Sequence, residues 1–311
     1  MSGNSNGQIL QSLAGNVFIA GIKGVAAVYT GSGAMAAETV HSFADCGNQI
    51  LLLLGVKQTQ RPADDLHPMG YGRALYFWSF MVAMLLFSGG GVFSVYEGAH
   101  KIAHPEPLEL PAVGLGILAL SLLIEGGSCY SNVREMNQRR GPKSFVKYLR
   151  DTKDSDLIVV FGENAAASLG LVLAGAALAT ATVTGDPRWD GVGSIAIGGV
   201  LVGVAVFLAR EVQSLLVGEA ADEGIRDVVT TAAKDHPHIL EILSLITIQQ
   251  GPNEVMVAVK VHITPTLTVD ACCVVINEFE ATVRAQCPEV EWLFVEPDLP
   301  GEGHRGALKR I

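Results

Sequence analysis

The chain has 311 residues, 49% of them hydrophobic, a mean hydropathy of +0.37 and a formal net charge of −10. So apolar a chain is not an ordinary soluble α/β protein, which needs polar turns at shorter intervals, and its acidic balance argues against nucleic-acid binding. Its five cysteines, Cys46, Cys129, Cys272, Cys273 and Cys287, form no C-x-x-C pair and no disulfide framework, so a reduced cytoplasmic setting fits.

The apolar residues gather into segments near the ~20 residues that span a bilayer. They lie at 8–29, 35–58, 74–100, 112–132, 157–182 and 192–216. The first reads as a membrane helix rather than a signal peptide, since residues 1–7 carry no Lys or Arg and no cleavage site is evident. In the second, His41 and Asp45 stand four residues apart, one above the other on one helix face. An imidazole over a carboxylate is half of a divalent-metal site. Charge at membrane depth is expensive, so the pair points to function; the competing reading is polar glue between helices. Glu38, one turn earlier on the same face, is positioned to hold a neighbouring group or a proton. Lys23 in the first segment and Glu125 in the fourth are deep enough to need partners, each other or Glu97, unless they snorkel. Gly89-Gly90-Gly91 in the third permits bending or serves close packing.

Basic residues crowd the second loop (Lys57, Arg61, Arg73) and the fourth (Arg134, Arg139, Arg140, Lys143, Lys147, Arg150, Lys153). The first loop has none, the third only Lys101 and the fifth only Arg188. The even loops and both termini are therefore expected in the cytoplasm.

After Gly218 the pattern changes. Residues 221–234 read as an amphipathic helix and 239–248 as a β-branched strand, with Gly251-Pro252-Asn253 as a turn. From 254 to 263 the residues alternate, with Val255, Val257, Val259, Val261 and Ile263 on one face, as in a half-buried strand. Thr268 or Asp270 can cap a helix running to about 286, and 291–295 is a last short strand. The order is αββαβ, a three-stranded sheet with two helices on one face. It is small enough that a second copy is expected to cover its other face or edge. The expected division is a membrane domain at 1–218, a small α+β domain at 219–297 and a flexible tail at 298–311.

Three stretches together carry a resemblance. They are His41-Ser42-Phe43-Ala44-Asp45 with Asn48-Gln49, the loop from Arg61 to Arg73 with Asp64, His67 and Tyr71, and the αββαβ tail ending in Val295-Glu296-Pro297. Over nearly its whole length the chain resembles the cation diffusion facilitator family. The resemblance implies an α-helical membrane protein of six transmembrane helices plus a small α+β (αββαβ) cytoplasmic C-terminal domain. It implies a transporter and not an enzyme, a homodimer joined through that domain, and export of a divalent cation against protons across the cell (inner) membrane.

In that family two ligands come from the second helix and two from the fifth. The second helix matches at His41 and Asp45. In the fifth, aligning on Ala165-Ala166-Ala167-Ser168-Leu169-Gly170 puts Asn164 at the family's Asp position and Val160 at its His position, with Glu163 just before. This departs from the usual His-x-x-x-Asp and is similar to a branch that opens the stretch with Glu-Asp. The expected ligands are His41, Asp45, Asn164 and Glu163. Zn²⁺ is the first choice because His41 is kept, though such donors also accept Co²⁺, Ni²⁺, Fe²⁺ and Mn²⁺. His41 must be neutral to bind metal, so metal and protons compete for it near its reference pKa of about 6.5.

Asp64 and His67 match part of a second metal site of relatives, but Tyr71 stands where the second His would be, so a solvated loop is expected. In the tail, Cys272 and Phe294 occupy comparable metal positions, with Glu296 retained and His262 in an unassigned register, so no cytoplasmic metal cluster is expected. The altered fifth helix motivates a rival reading: a non-transporting metal sensor or regulatory membrane subunit.

Overall fold

The computed structural model describes residues 5–108, 110–152 and 155–301. The apolar segments form α1 (Ser5–Thr30), α2 (Gly33–Thr59), α3 (Ala74–Leu85) with α4 (Phe93–Ala103), α5 (Pro111–Arg139), α7 (Ser155–Thr184) and α8 (Arg188–Val217). A π-helical stretch, Leu86–Val92, makes α3 and α4 one continuous rod. Among the described residues, four helices are long and apolar enough to cross a membrane: Ala74–Ala103, Pro111–Arg139, Leu157–Thr184 and Arg188–Val217. Helices α1 and α2 have 26 and 27 residues, a rise of about 40 Å each. Helix α2 carries Glu38, His41 and Asp45 within its length, with Glu38 and His41 buried. Phe18, Val28, Leu123 and Val183 remain exposed, as a lipid-facing surface requires, while Met35, Leu86, Leu178 and Leu201 meet in the interior.

The chain divides into two compact units. One takes the described residues of 1–57, 75–150 and 154–213, the other those of 58–74, 151–153 and 214–311. Residues 58–74 thus group with the C-terminal unit, a tertiary fact that the linear division at 218 did not anticipate. The reason is local: Gln250 Nε2 donates to Met69 Sδ at 3.7 Å, and Gly72 is pressed against Gly251 and the Glu254 carboxylate. Burial, with Glu291 nearby, raises the Glu254 carboxyl above the usual range.

In the C-terminal unit, α9 (Glu223–Asp235) and α10 (Val269–Gln286) pack on one face of a sheet of β1 (Ile239–Gly251), β2 (Glu254–Ile263) and β3 (Val290–Pro297) in the order β1-β2-β3. The β1–β2 pair is an antiparallel hairpin. Asn253 takes the left-handed conformation its turn requires, at φ 59°. Strand β3 runs parallel to β2 because α10 carries the chain back across. The alternation of β2 buries Val255, Val257, Val259 and Val261 against Val229 and Phe279. Ile246 and Phe294 stay exposed. Thr268, not Asp270, caps α10, its side chain accepting from Ala271 N at 3.3 Å.

Several elements differ from the sequence reading: α5 runs on to Arg139, β1 extends to Gly251, β3 spans Val290–Pro297, and a short helix α6 (Phe145–Asp151) occupies the fourth loop. Of the tail expected at 298–311, residues 302–311 lie outside the described residues.

Gly89, Gly90 and Gly91 lie within the π-helical stretch, and glycines of the third segment admit a neighbour. A Cβ on Gly98 would stand 2.5 Å from the Gly191 carbonyl oxygen, and one on Gly198 would stand 2.8 Å from that of Gly91. Pairs 91/198 and 98/191 are the seam of two antiparallel helices whose backbones touch, as small residues allow in membranes. Gly98→Val is expected to cost about 1–3 kcal/mol by overpacking, whereas Gly199→Ala, with open space around it, leaves stability unchanged. Thermal unfolding in detergent checks this; equal midpoints for both variants would contradict the seam.

Candidate functional site

Helix α2 is anchored at its start by a group far away in sequence. Asp190, buried at the head of α8, accepts from Gly33 N at 2.5 Å and Ala34 N at 3.3 Å, and from Ser32 Oγ at 2.5 Å. These satisfy amides that every helix leaves open at its N-terminus. Ser32 Oγ also accepts from Met35 N at 3.1 Å, and Lys101 Nζ donates to the Gly31 carbonyl at 2.8 Å. Two turns further on, α2 presents His41 and Asp45.

His41 is fully buried, with Nδ1 3.6 Å from Asp45 Oδ1, beyond a true hydrogen bond. Asp45 faces a cavity of about 240 Å³ within the helical unit, whose wall includes Ser42, Glu125, Glu163, Asn164 and Gln49. Of the four expected ligands, Asp45, Glu163 and Asn164 therefore line one cavity. His41 is not on its wall but stands one helical turn from Asp45. Around this place several buried polar atoms lack a hydrogen-bond partner: both His41 ring nitrogens, Asp45 Oδ1, Glu163 Oε1 and Glu125 Oε2. Orphaned buried polar atoms are costly and uncommon; three of these, on Asp45, Glu163 and Glu125, belong to residues that line the cavity, and the two on His41 do not. Among the described residues, however, no three His, Cys, Asp or Glu side chains stand close enough together to hold a metal ion as they are.

Asn164 Nδ2 donates to the Val160 carbonyl of its own helix at 2.9 Å. The amide nitrogen is thus turned into the helix, and the side-chain oxygen is the end available to a cation. Lys23 takes Glu125 as partner, at 2.7 Å, rather than Glu97, and Glu38 Oε2 lies 3.4 Å from the same ammonium. Sequence reasoning did not find Asp190, because only the packing of α8 on α2 reveals it.

The loop after α2 closes on itself. Asp64 accepts from Tyr71 OH at 2.7 Å, His67 N at 2.7 Å and Leu66 N at 3.0 Å. The Tyr71 hydroxyl first, then the His67 amide, hold the Asp64 carboxyl below the usual range. The His67 ring rests on Tyr71 with centroids 4.3 Å apart. Tyr71, standing in a ligand position, thus occupies one oxygen of Asp64. In the C-terminal unit Glu296 is paired with Lys260 at 2.9 Å, and Phe294 is exposed.

Residues 9–217 match the family described as "Cation efflux transmembrane domain". The chain is 33% identical over 230 residues to the proton-coupled zinc antiporter SLC30A9, mitochondrial, of Xenopus laevis, covering 73% of this chain and 41% of that protein. It is 34% identical over 192 residues to metal tolerance protein C4 of Arabidopsis thaliana, covering 60% of this chain and 41% of that one. The chain thus spans about two fifths of the length of these relatives. A solved structure of MamM-CTD is similar at 19% identity with a TM-score of 0.24, covering 25% of this chain and 94% of that one.

Proposed function

The chain belongs to the cation efflux family, and from that premise we propose that it carries a divalent transition-metal ion, Zn²⁺ first, out of the cytoplasm in exchange for protons. The observation that carries the proposal is the polar cavity of the helical unit, lined by Asp45 from α2 and by Glu163 and Asn164 from α7. A dication in a low-dielectric interior needs nearby negative charge. Asp45 and Glu163 supply it, and the Asn164 oxygen adds a neutral donor. His41 adds nitrogen, which favours Zn²⁺ over the harder ions. Since its imidazole must be neutral to bind, protons arriving from the far side expel the metal and reset the site. The donors are spread around the cavity, so binding draws α2 and α7 together. Rigid-body movement of helices around a fixed site then exposes it to each side in turn.

The bilayer, the metal ion and the proton are the partners this requires. A second copy, joined through the open sheet face that carries Ile246 and Phe294, completes a homodimer, with residues 219–297 as its cytoplasmic domain. The cell (inner) membrane is the proposed location, although the first relatives carry a mitochondrial name. Both termini lie in the cytoplasm, following the basic second and fourth loops. An N-terminal tag is accordingly expected to resist protease added outside intact cells; its cleavage there would reverse the orientation.

A second reading, a sensor that binds metal without moving it, is favoured by Asn164 in place of a carboxylate and by the dispersed donors. Uptake of Zn²⁺, Mn²⁺, Fe²⁺, Co²⁺ and Ni²⁺ by purified protein in liposomes separates the two. Transport with Zn²⁺ foremost supports the antiporter. Binding with no uptake of any ion supports the sensor.

A further inference from the structure

Lys23 is fully buried on α1, and its ammonium has acceptors in three directions. It donates to Glu125 Oε1 at 2.7 Å, to Ser42 Oγ at 2.9 Å and to Glu38 Oε2 at 3.4 Å. A buried ammonium persists only when paired and hydrogen-bonded in this way. Two of its partners, Glu125 and Ser42, are also on the wall of the cavity that Asp45 and Glu163 line. Glu125 is therefore shared. One oxygen is held by Lys23, and the other, Oε2, is buried without a hydrogen-bond partner.

We propose that Lys23 is a resident cation beside the cavity, competing with the divalent ion for the carboxylate of Glu125. The proposal rests on the transport reading above and adds a residue to it. With Glu125 tied to Lys23, an entering ion meets the charges of Asp45 and Glu163 and only a partial share of a third carboxylate. A transported ion must bind well enough to enter and weakly enough to leave. Lys23 sets that balance without touching the ion, which makes it a positioning residue.

The test is titration of the purified full-length protein in detergent with Zn²⁺ alone. The double variant Lys23→Met/Glu38→Gln removes one positive and one negative charge, so the formal charge of the core is kept while Glu125 is released. Its Zn²⁺ affinity is expected to rise about tenfold, within the range usual for coupled ligands. Adding Glu125→Gln should return the affinity to the wild-type level. A merely structural lysine predicts no gain and no reversal. Wild-type or weaker affinity in a monodisperse double variant would overturn the proposal, as would a gain that survives Glu125→Gln.

Should the double variant not fold, Glu125→Gln alone decides. It leaves Lys23 less compensated beside the cavity, so binding should weaken about tenfold or more; unchanged affinity would overturn the proposal. Unchanged binding in Asp45→Ala would be a different failure, removing the cavity as the metal site and this proposal with it.

Discussion

Asp45→Ala is expected to abolish metal uptake by the purified protein in liposomes while leaving the protein folded. Removing one partner of a buried charge pair costs about 3–5 kcal/mol. Loss of this carboxylate from a bound dication should therefore lower affinity on the order of a hundredfold or more. The fold should tolerate the change. Asp45 Oδ1 has no hydrogen-bond partner, and the side chain faces a cavity rather than packed neighbours. Asp45→Asn, equal in size and uncharged, should fail equally, which separates charge from shape. Near-normal uptake by either variant would remove Asp45 from the site.

The second large effect lies on α7. Glu163→Gln is expected to reduce metal affinity by about tenfold or more and to lose more transport than Asn164→Ala. Both residues line the cavity, but only Glu163 carries charge, and interactions with charged groups outweigh neutral ones by roughly twofold. Asn164 already gives its amide nitrogen to the Val160 carbonyl, so truncation removes a single neutral oxygen donor. Asn164→Asp should tighten binding and make it more sensitive to pH, because a third carboxylate must lose its proton before the ion can enter. Metal titration of the three variants decides the order. Wild-type binding by Glu163→Gln would leave His41, Asp45 and Asn164 as the site and strengthen the sensor reading.

What could be read before the structure was what local periodicity encodes. Strand β2 has the limits that the alternation of Val255 to Ile263 sets. The spacing of His41 and Asp45 put both on one face of α2, where the structure holds them 3.6 Å apart. Gly251-Pro252-Asn253 marked the hairpin turn that Asn253 makes. What could not be read depends on which helices touch. Lys23 had two candidate partners in the sequence, and only the packing of α1 on α5 selects Glu125. Asp190 serves amides 156 and 157 residues away, a separation no local pattern reports. Helix α6 is a seven-residue stretch too short for a periodic signal. The fifth-helix residues fell between the two cases. Glu163 and Asn164 were located by resemblance, and their common cavity with Asp45 is a tertiary fact.

The most direct test is Zn²⁺ uptake into liposomes carrying the purified protein and a trapped pH indicator, with and without an imposed acidic interior. The account predicts faster Zn²⁺ uptake when the interior is acidic, a matching rise in internal pH as protons leave, and neither effect in Asp45→Ala. Uptake indifferent to the pH gradient, or Zn²⁺ binding with no uptake at all, would contradict it.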